Sequence, residues 1–227
     1  MLRRCPSLER RCGRESGAPS NSPKAHSNAP TAHSNSKDAA LFLLRHGQSY
    51  FNLHFSRTRI DPGIEDPELT PFGLEQAAAA AAELAGTALT RIIVSPYTRA
   101  LQTAQPFLAM RKLSVEVMHE VRERTAFVCD VGSAPDSLAA RFPHHDFSHL
   151  PQQWWPCGVE SPESAVERAD EFRALMAARA DSATTLLISH WAFILALTGQ
   201  SIQNGEILEY DPRESRPRGI LQATSGS

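Results

Sequence analysis

Apolar residues gather along this chain in short unbroken runs that stop abruptly at polar ones. Ala39 to Leu44 runs without alternation and ends in Arg45-His46-Gly47. Arg91-Ile-Ile-Val-Ser95 repeats the pattern, and Thr184 to Ile188 does so again before delivering Ser189-His190. A run without alternation predicts a strand covered on both faces, as in the centre of a parallel sheet. Ser114 to Met118 alternates, through Val115 and Val117, and predicts a more peripheral strand.

Helical signals separate these runs. Thr70-Pro71 reads as an N-cap followed by proline at the first helical position, opening a helix that runs to about Ala85 and stops at Gly86. Pro96 opens the next helix, which Pro106 is expected to break or kink. Ser161-Pro162 repeats the cap signal. The helix after it, to about Ala180, carries Val166, Ala169, Phe172, Leu175 and Met176 on one stripe. Trp191 to Leu197 reads as a buried helix ending at Gly199. Ser49 to Pro67 reads as a loop with a short helical turn. Glu120 to Gln153 reads as an irregular insertion, interrupted by Pro135, Pro143 and Pro151, with one short helix at Ser137 to Phe142. This order of elements favours an α/β fold, a three-layer α/β/α sandwich around a mostly parallel central sheet.

Composition divides the chain. Met1 to Lys37 is rich in Ser, Arg, Pro, Asn and Ala and lacks aliphatic periodicity, so residues 1–37 read as a disordered extension or an organelle transit peptide. Residues 38–210 read as one catalytic domain and 211–227 as a flexible tail. Residues 1–37 hold seven Lys or Arg and two Glu, whereas the remainder holds 16 against 23, a formal charge of −7. An acidic body argues against nucleic acid as the main partner. No apolar run approaches about 18–20 residues, so no membrane span is expected. The four cysteines show no metal-ligand spacing and read as free thiols of an intracellular protein, cytoplasmic unless the first 37 residues direct it to an organelle.

The polar residues that end the strands carry the chemistry. Open α/β sheets bind ligands at the carboxyl ends of their strands, which puts Arg45 and His46 in the pocket. Gly47 removes a side chain where a ligand or backbone must come close. Leu-Arg-His-Gly-Gln-Ser is followed by Asn52, by Leu69-Thr70 with Gly73 and Gln76-Ala77, by Ser95-Pro96-Tyr97-Thr98-Arg99-Ala100 with Gln102-Thr103-Ala104, by Glu123 and by Ser189-His190. Together these resemble the histidine phosphatase superfamily, also called phosphoglycerate mutase-like, over about Ala39 to Glu206.

The resemblance implies a metal-independent phosphatase that hydrolyses small phosphomonoesters through a phosphohistidine at His46. A neutral imidazole is a competent nucleophile near pH 7. Arg45 and Arg99 fit a phosphate clamp, because guanidinium forks match phosphate oxygens and stay charged. His190 is placed to donate a hydrogen bond to the developing charge. The family usually has Gly after this histidine, and here Trp191 stands there. For the acid, Glu123 is preferred over Glu120, with Asp130 a third choice, and Arg122 and Arg124 would lower the pKa of Glu123. Asn52, Ser95 and Gln48 read as supporting donors around the phosphate. Arg57, Arg59, His144, His145, Trp154 and Trp155 are candidates for the rest of the substrate, although the tryptophans more simply pack the insertion into the core. No metal or other cofactor is expected, since the arginines supply the positive charge. Two other readings share these residues: phosphoglycerate mutase-type transfer, and a non-catalytic phosphate-binding module.

Overall fold

A computed structural model describes residues 40–214. The extension expected over 1–37 lies outside the described residues, as does most of the expected tail. Five strands form one sheet: β1 (Leu41–Arg45), β2 (Arg91–Val94), β3 (Ser114–Val117), β4 (Thr185–Ser189) and β5 (Ile207–Tyr210), in the order β3-β2-β4-β1-β5. All neighbours are parallel except β5, which runs antiparallel to β1. The three unbroken apolar runs are the three inner strands, and the alternating one lies at an edge. Every residue of β4 is buried.

Six α-helices are described, and the two apolar clusters show how they cover the sheet. One cluster joins Leu44, Ile92, Val94 and Ile188 to α2 (Pro71–Glu83), α3 (Thr98–Met110) and α4 (Pro135–Arg141). The other joins Leu41, Leu43, Ile93 and Leu187 to α5 (Pro162–Ala178) and α6 (Trp191–Thr198). Adjacent residues of one strand thus enter opposite clusters, as the two-residue repeat of a strand requires. The architecture is the expected α/β/α sandwich.

Three local expectations are corrected. The turn after β1 is a nine-residue helix, α1 (Tyr50–Thr58), closed by a capping box between Ser49 and Asn52. Pro106 does not break α3, which continues to Met110. Leu101, Ala104 and Phe107 bury their side chains on either side of it, and that packing offsets a cost of about 3 kcal/mol for interior proline. Leu175 leaves the stripe of α5 and is 42% exposed, while Arg168 joins the buried face. Cys129 is a buried free thiol.

Two glycines bring the loop after β1 against the start of α2. A Cβ on Gly47 would sit 2.3 Å from Gly73 O, and one on Gly73 would sit 2.1 Å from Gln48 O. No side chain fits on either backbone at that approach. Thr70 caps α2 by accepting from the Gly73 N–H at 3.0 Å, and its own N–H donates to Gln48 O at 2.9 Å.

Candidate active site

Strand register sets the centre of the site. Arg45 pairs with Ser189 across β1 and β4, and the His46 N–H donates to Ser189 O at 3.0 Å. The next residue on each strand is a histidine, so two imidazoles leave the same end of the sheet side by side. Their ring centroids lie 5.0 Å apart. His46 is buried, and its Nδ1 lies 2.7 Å from Gly47 O. A carbonyl accepts only, so Nδ1 carries the proton and Nε2 keeps the lone pair. Burial, helped by the charges of Arg99 and Arg45, holds the His46 pKa well below its ordinary value. Burial and Arg99 do the same for His190. Both rings are therefore neutral at pH 7.

His190 is wholly buried beside His46. Its Nε2 lies 2.7 Å from Ser95 Oγ, and its Nδ1 is a buried atom with no hydrogen-bond partner. If the Ser95 hydroxyl donates to Nε2, the free Nδ1 carries the proton and is a donor. Ser95, expected at the substrate, is fully buried with its hydroxyl against His190 and orients that ring. Gln48 is also displaced from its expected place. Its Oε1 accepts from Thr70 Oγ1 at 2.9 Å, which ties it to the cap of α2.

Both arginines are held by oxygen acceptors. Arg45 Nη1 donates to Ile202 O at 2.9 Å, while its Nε is buried without a partner. Arg99, in the first turn of α3, donates from Nη1 to Cys129 O at 2.9 Å and from Nη2 to Asp130 Oδ1 at 3.2 Å. Its guanidinium also lies 4.2 Å from the Tyr97 ring centroid. It is buried, not turned into solvent. Asp130 in turn accepts from the backbone N–H groups of Ala126 and Phe127 through Oδ2. Each of its oxygens is thus engaged as an acceptor, which fits a carboxylate that anchors Arg99 and not a proton donor.

The other two carboxyl candidates separate by position. Glu120 is exposed and pairs with His119 at 3.4 Å, away from the pocket that holds His46. Glu123 lines that pocket. Its Oε1 accepts from the backbone N–H groups of Arg124 at 2.9 Å and Ala192 at 3.0 Å. Arg122 and Arg124 do not lower its pKa through their guanidiniums, as the sequence suggested. Those groups turn to Glu160: Arg122 Nη2 to Oε1 at 3.4 Å and Arg124 Nη1 to the backbone O at 3.1 Å. Burial and the charge of Asp130 raise the Glu123 pKa, outweighing the Arg124 N–H and the charges of Arg99 and Arg45.

These groups open into a pocket of about 600 Å³ that also takes in Asn52, Arg59, Arg124, Trp191 and an aromatic wall. Asn52 Oδ1 serves the α1 cap, accepting from the Ser49 N–H at 3.1 Å. Arg57 is exposed and outside the lining. His144 and His145 line a different cavity, beside Leu108 and Arg141. Trp154 is buried in the core against Tyr97, with ring centroids 4.7 Å apart, and Trp155 packs on it. Asp130 as the anchor of Arg99, and the phenylalanines of the wall, were not singled out for those roles in the sequence. The one available signal was that Phe51 and Phe55 recur at helical spacing. Among the described residues, no group of His, Cys, Asp and Glu could hold a metal ion, and no helix is long and apolar enough to cross a membrane.

Residues 41–212 match the family described as the histidine phosphatase superfamily (branch 1). An uncharacterised protein of Mycobacterium tuberculosis is 28% identical over 200 residues, covering 83% of this chain and 90% of that one. Among solved structures, a mycobacterial glucosyl-3-phosphoglycerate phosphatase complexed with VO3 matches 75% of this chain and 90% of its own, at 23% identity and a TM-score of 0.54. The phosphoserine phosphatase of Entamoeba histolytica in complex with 3-phosphoglyceric acid matches 75% and 89%, at 23% identity and 0.50. At that identity the two structures establish a shared fold.

Proposed function

The chain belongs to the histidine phosphatase superfamily, and from that premise we propose that it hydrolyses phosphomonoesters through a phosphohistidine at His46. The observation that carries the proposal is the His46 ring. Its Nδ1–H is spent on Gly47 O, its Nε2 lone pair is free, and two arginines, a second imidazole and a raised-pKa carboxyl surround it.

In the first step Nε2 of His46 attacks phosphorus and the bond from phosphorus to the ester oxygen breaks. Glu123 gives its proton to the departing oxygen, and the alcohol leaves. In the second step Glu123, now a carboxylate, takes a proton from water. The resulting hydroxide attacks phosphorus, the N–P bond breaks, and inorganic phosphate leaves with His46 restored. Arg45, Arg99 and the Nδ1–H of His190 stabilise the charge on the equatorial oxygens in both steps. Asn52 lends a further amide donor at the pocket wall, and Ser95 keeps the His190 tautomer. The residues that carry these steps are all side chains of this chain, so the scheme calls on no cofactor.

The test is phosphate release from p-nitrophenyl phosphate with a chelator present, beside the His46→Ala variant. Chelator-resistant turnover lost in the variant is the expected result. Phosphoryl exchange between phosphoglycerates without hydrolysis would replace the proposal with a mutase, and anion binding without either activity would replace it with a binding module.

A further inference from the structure

The pocket has an apolar side that the two steps above do not use. Phe51 and Phe55 stack at 5.1 Å along one face of α1, and Phe127, from the insertion, closes on both at 5.3 and 5.0 Å. All three line the same pocket as His46, and so does Trp191. Phe127 and Trp191 are each 41% exposed. Large apolar side chains gathered at the mouth of a pocket mark a recognition surface. Three rings in mutual contact also form a fixed wall, built before any ligand arrives. Trp191 has one polar atom to offer, and its Nε1 is already spent on Ser201 Oγ at 2.8 Å. A polyhydroxylated group laid on the ring faces themselves would lose hydrogen bonds to water there, with the Arg59 guanidinium, 5.8 Å from the Phe55 ring centroid, left to replace some of them. A flat apolar group would lose nothing polar and would cover the Phe127 and Trp191 rings that water now wets.

Resting on the phosphatase reading, we propose that the substrates are phosphomonoesters whose alcohol carries an aromatic or similarly flat apolar group, bound against Phe51, Phe55, Phe127 and Trp191. The phosphate sits at the strand ends, and the leaving group runs outward along the aromatic wall.

The experiment compares kcat/KM for 2-phenylethyl phosphate and ethyl phosphate. Their leaving alkoxides have similar basicity, so the ratio reports contact and not bond strength. The expected ratio in the unaltered enzyme is about tenfold or more, the least that even one added methylene brings in an apolar pocket. In Phe127→Ala that ratio falls by about tenfold, the factor of about 1.4 kcal/mol; in Phe127→Tyr it is kept. Phe127 makes its bond to Asp130 through the backbone, so the alanine variant retains it, and circular dichroism of both variants checks the fold. A ratio near one in the unaltered enzyme, or one that Phe127→Ala leaves unchanged, overturns the substrate class while the phosphatase stands. Absence of chelator-resistant phosphate release from both esters brings down the phosphatase reading itself, and this proposal with it.

Discussion

Glu123→Gln isolates the proton that the leaving oxygen needs. The glutamine keeps Oε1, which accepts from the N–H groups of Arg124 and Ala192 at 2.9 and 3.0 Å, so the local hydrogen bonds survive. Only the acidic proton is gone. A positioned general acid contributes about 10²–10⁴ in rate, or ~3–5 kcal/mol of barrier. The full loss should fall on kcat/KM for ethyl phosphate, whose alkoxide cannot leave unprotonated. For p-nitrophenyl phosphate the phenolate leaves without help, and kcat/KM should fall far less. Turnover still slows with both esters, because the second step needs the same carboxylate as a base, and a burst of nitrophenol should precede a slow steady state. The pH profile adds a sign. Burial raises the Glu123 pKa, so activity on ethyl phosphate falls as pH rises through that raised value, and this limb vanishes in the variant. The exposed Glu120 serves as control: Glu120→Gln should leave kcat/KM within about twofold, as for surface substitutions remote from the site. Equal losses of kcat/KM on both esters in Glu123→Gln, or no loss on either, would refute the acid role.

Other substitutions probe the frame around the two histidines. Arg99→Ala should cost about 2.7–4 kcal/mol in kcat/KM, the scale of one preorganised donor. It should also lower the denaturation midpoint, since Asp130 is left buried without its cation; unchanged values of both would contradict the clamp. Gly47→Ala forces a Cβ to within 2.3 Å of Gly73 O, so its unfolding free energy should drop by at least the ~1–3 kcal/mol of overpacking and its denaturation midpoint with it. An unchanged midpoint would mean the loop and α2 do not pack so closely. Because His46 and His190 are held neutral in the folded state, the unfolded chain takes up protons below about pH 6.5 that the native rings refuse. Stability therefore rises with pH up to that point and is lost on acidification below it. Thermal melts at stepped pH should show this slope, reduced in a His46→Gln, His190→Gln double variant; an identical slope would assign it to other groups.

What was legible in the sequence follows burial. β1, β2 and β4 are covered on both faces and announce themselves as unbroken apolar runs. β5 does not, because Ile207–Tyr210 is a short, half-buried edge with Glu209 in its middle. α1 was read as a turn because only Phe51 of its nine residues is buried. His46, His190, Arg45 and Arg99 were legible because each ends or directly follows a strand, or lies in the first turn of a helix. Their neighbours come from the Pro-interrupted insertion, where no periodicity exists to place them. Hence Asp130 read as a possible acid when it anchors Arg99, and Phe127 drew no notice. Ser95 read as a substrate donor, whereas its hydroxyl meets His190, since nothing in a linear pattern tells a residue that touches the ligand from one that touches its neighbour.

The central claim is a covalent bond between phosphorus and Nε2 of His46. Glu123→Gln, mixed with p-nitrophenyl phosphate and quenched in base, should hold that bond long enough for peptide mass spectrometry, because its second step is slowed. One phosphoryl group on the peptide containing His46, absent in the His46→Ala, Glu123→Gln double variant, is the predicted result. Turnover with that peptide unmodified, or with the phosphoryl group on His190, would contradict the account.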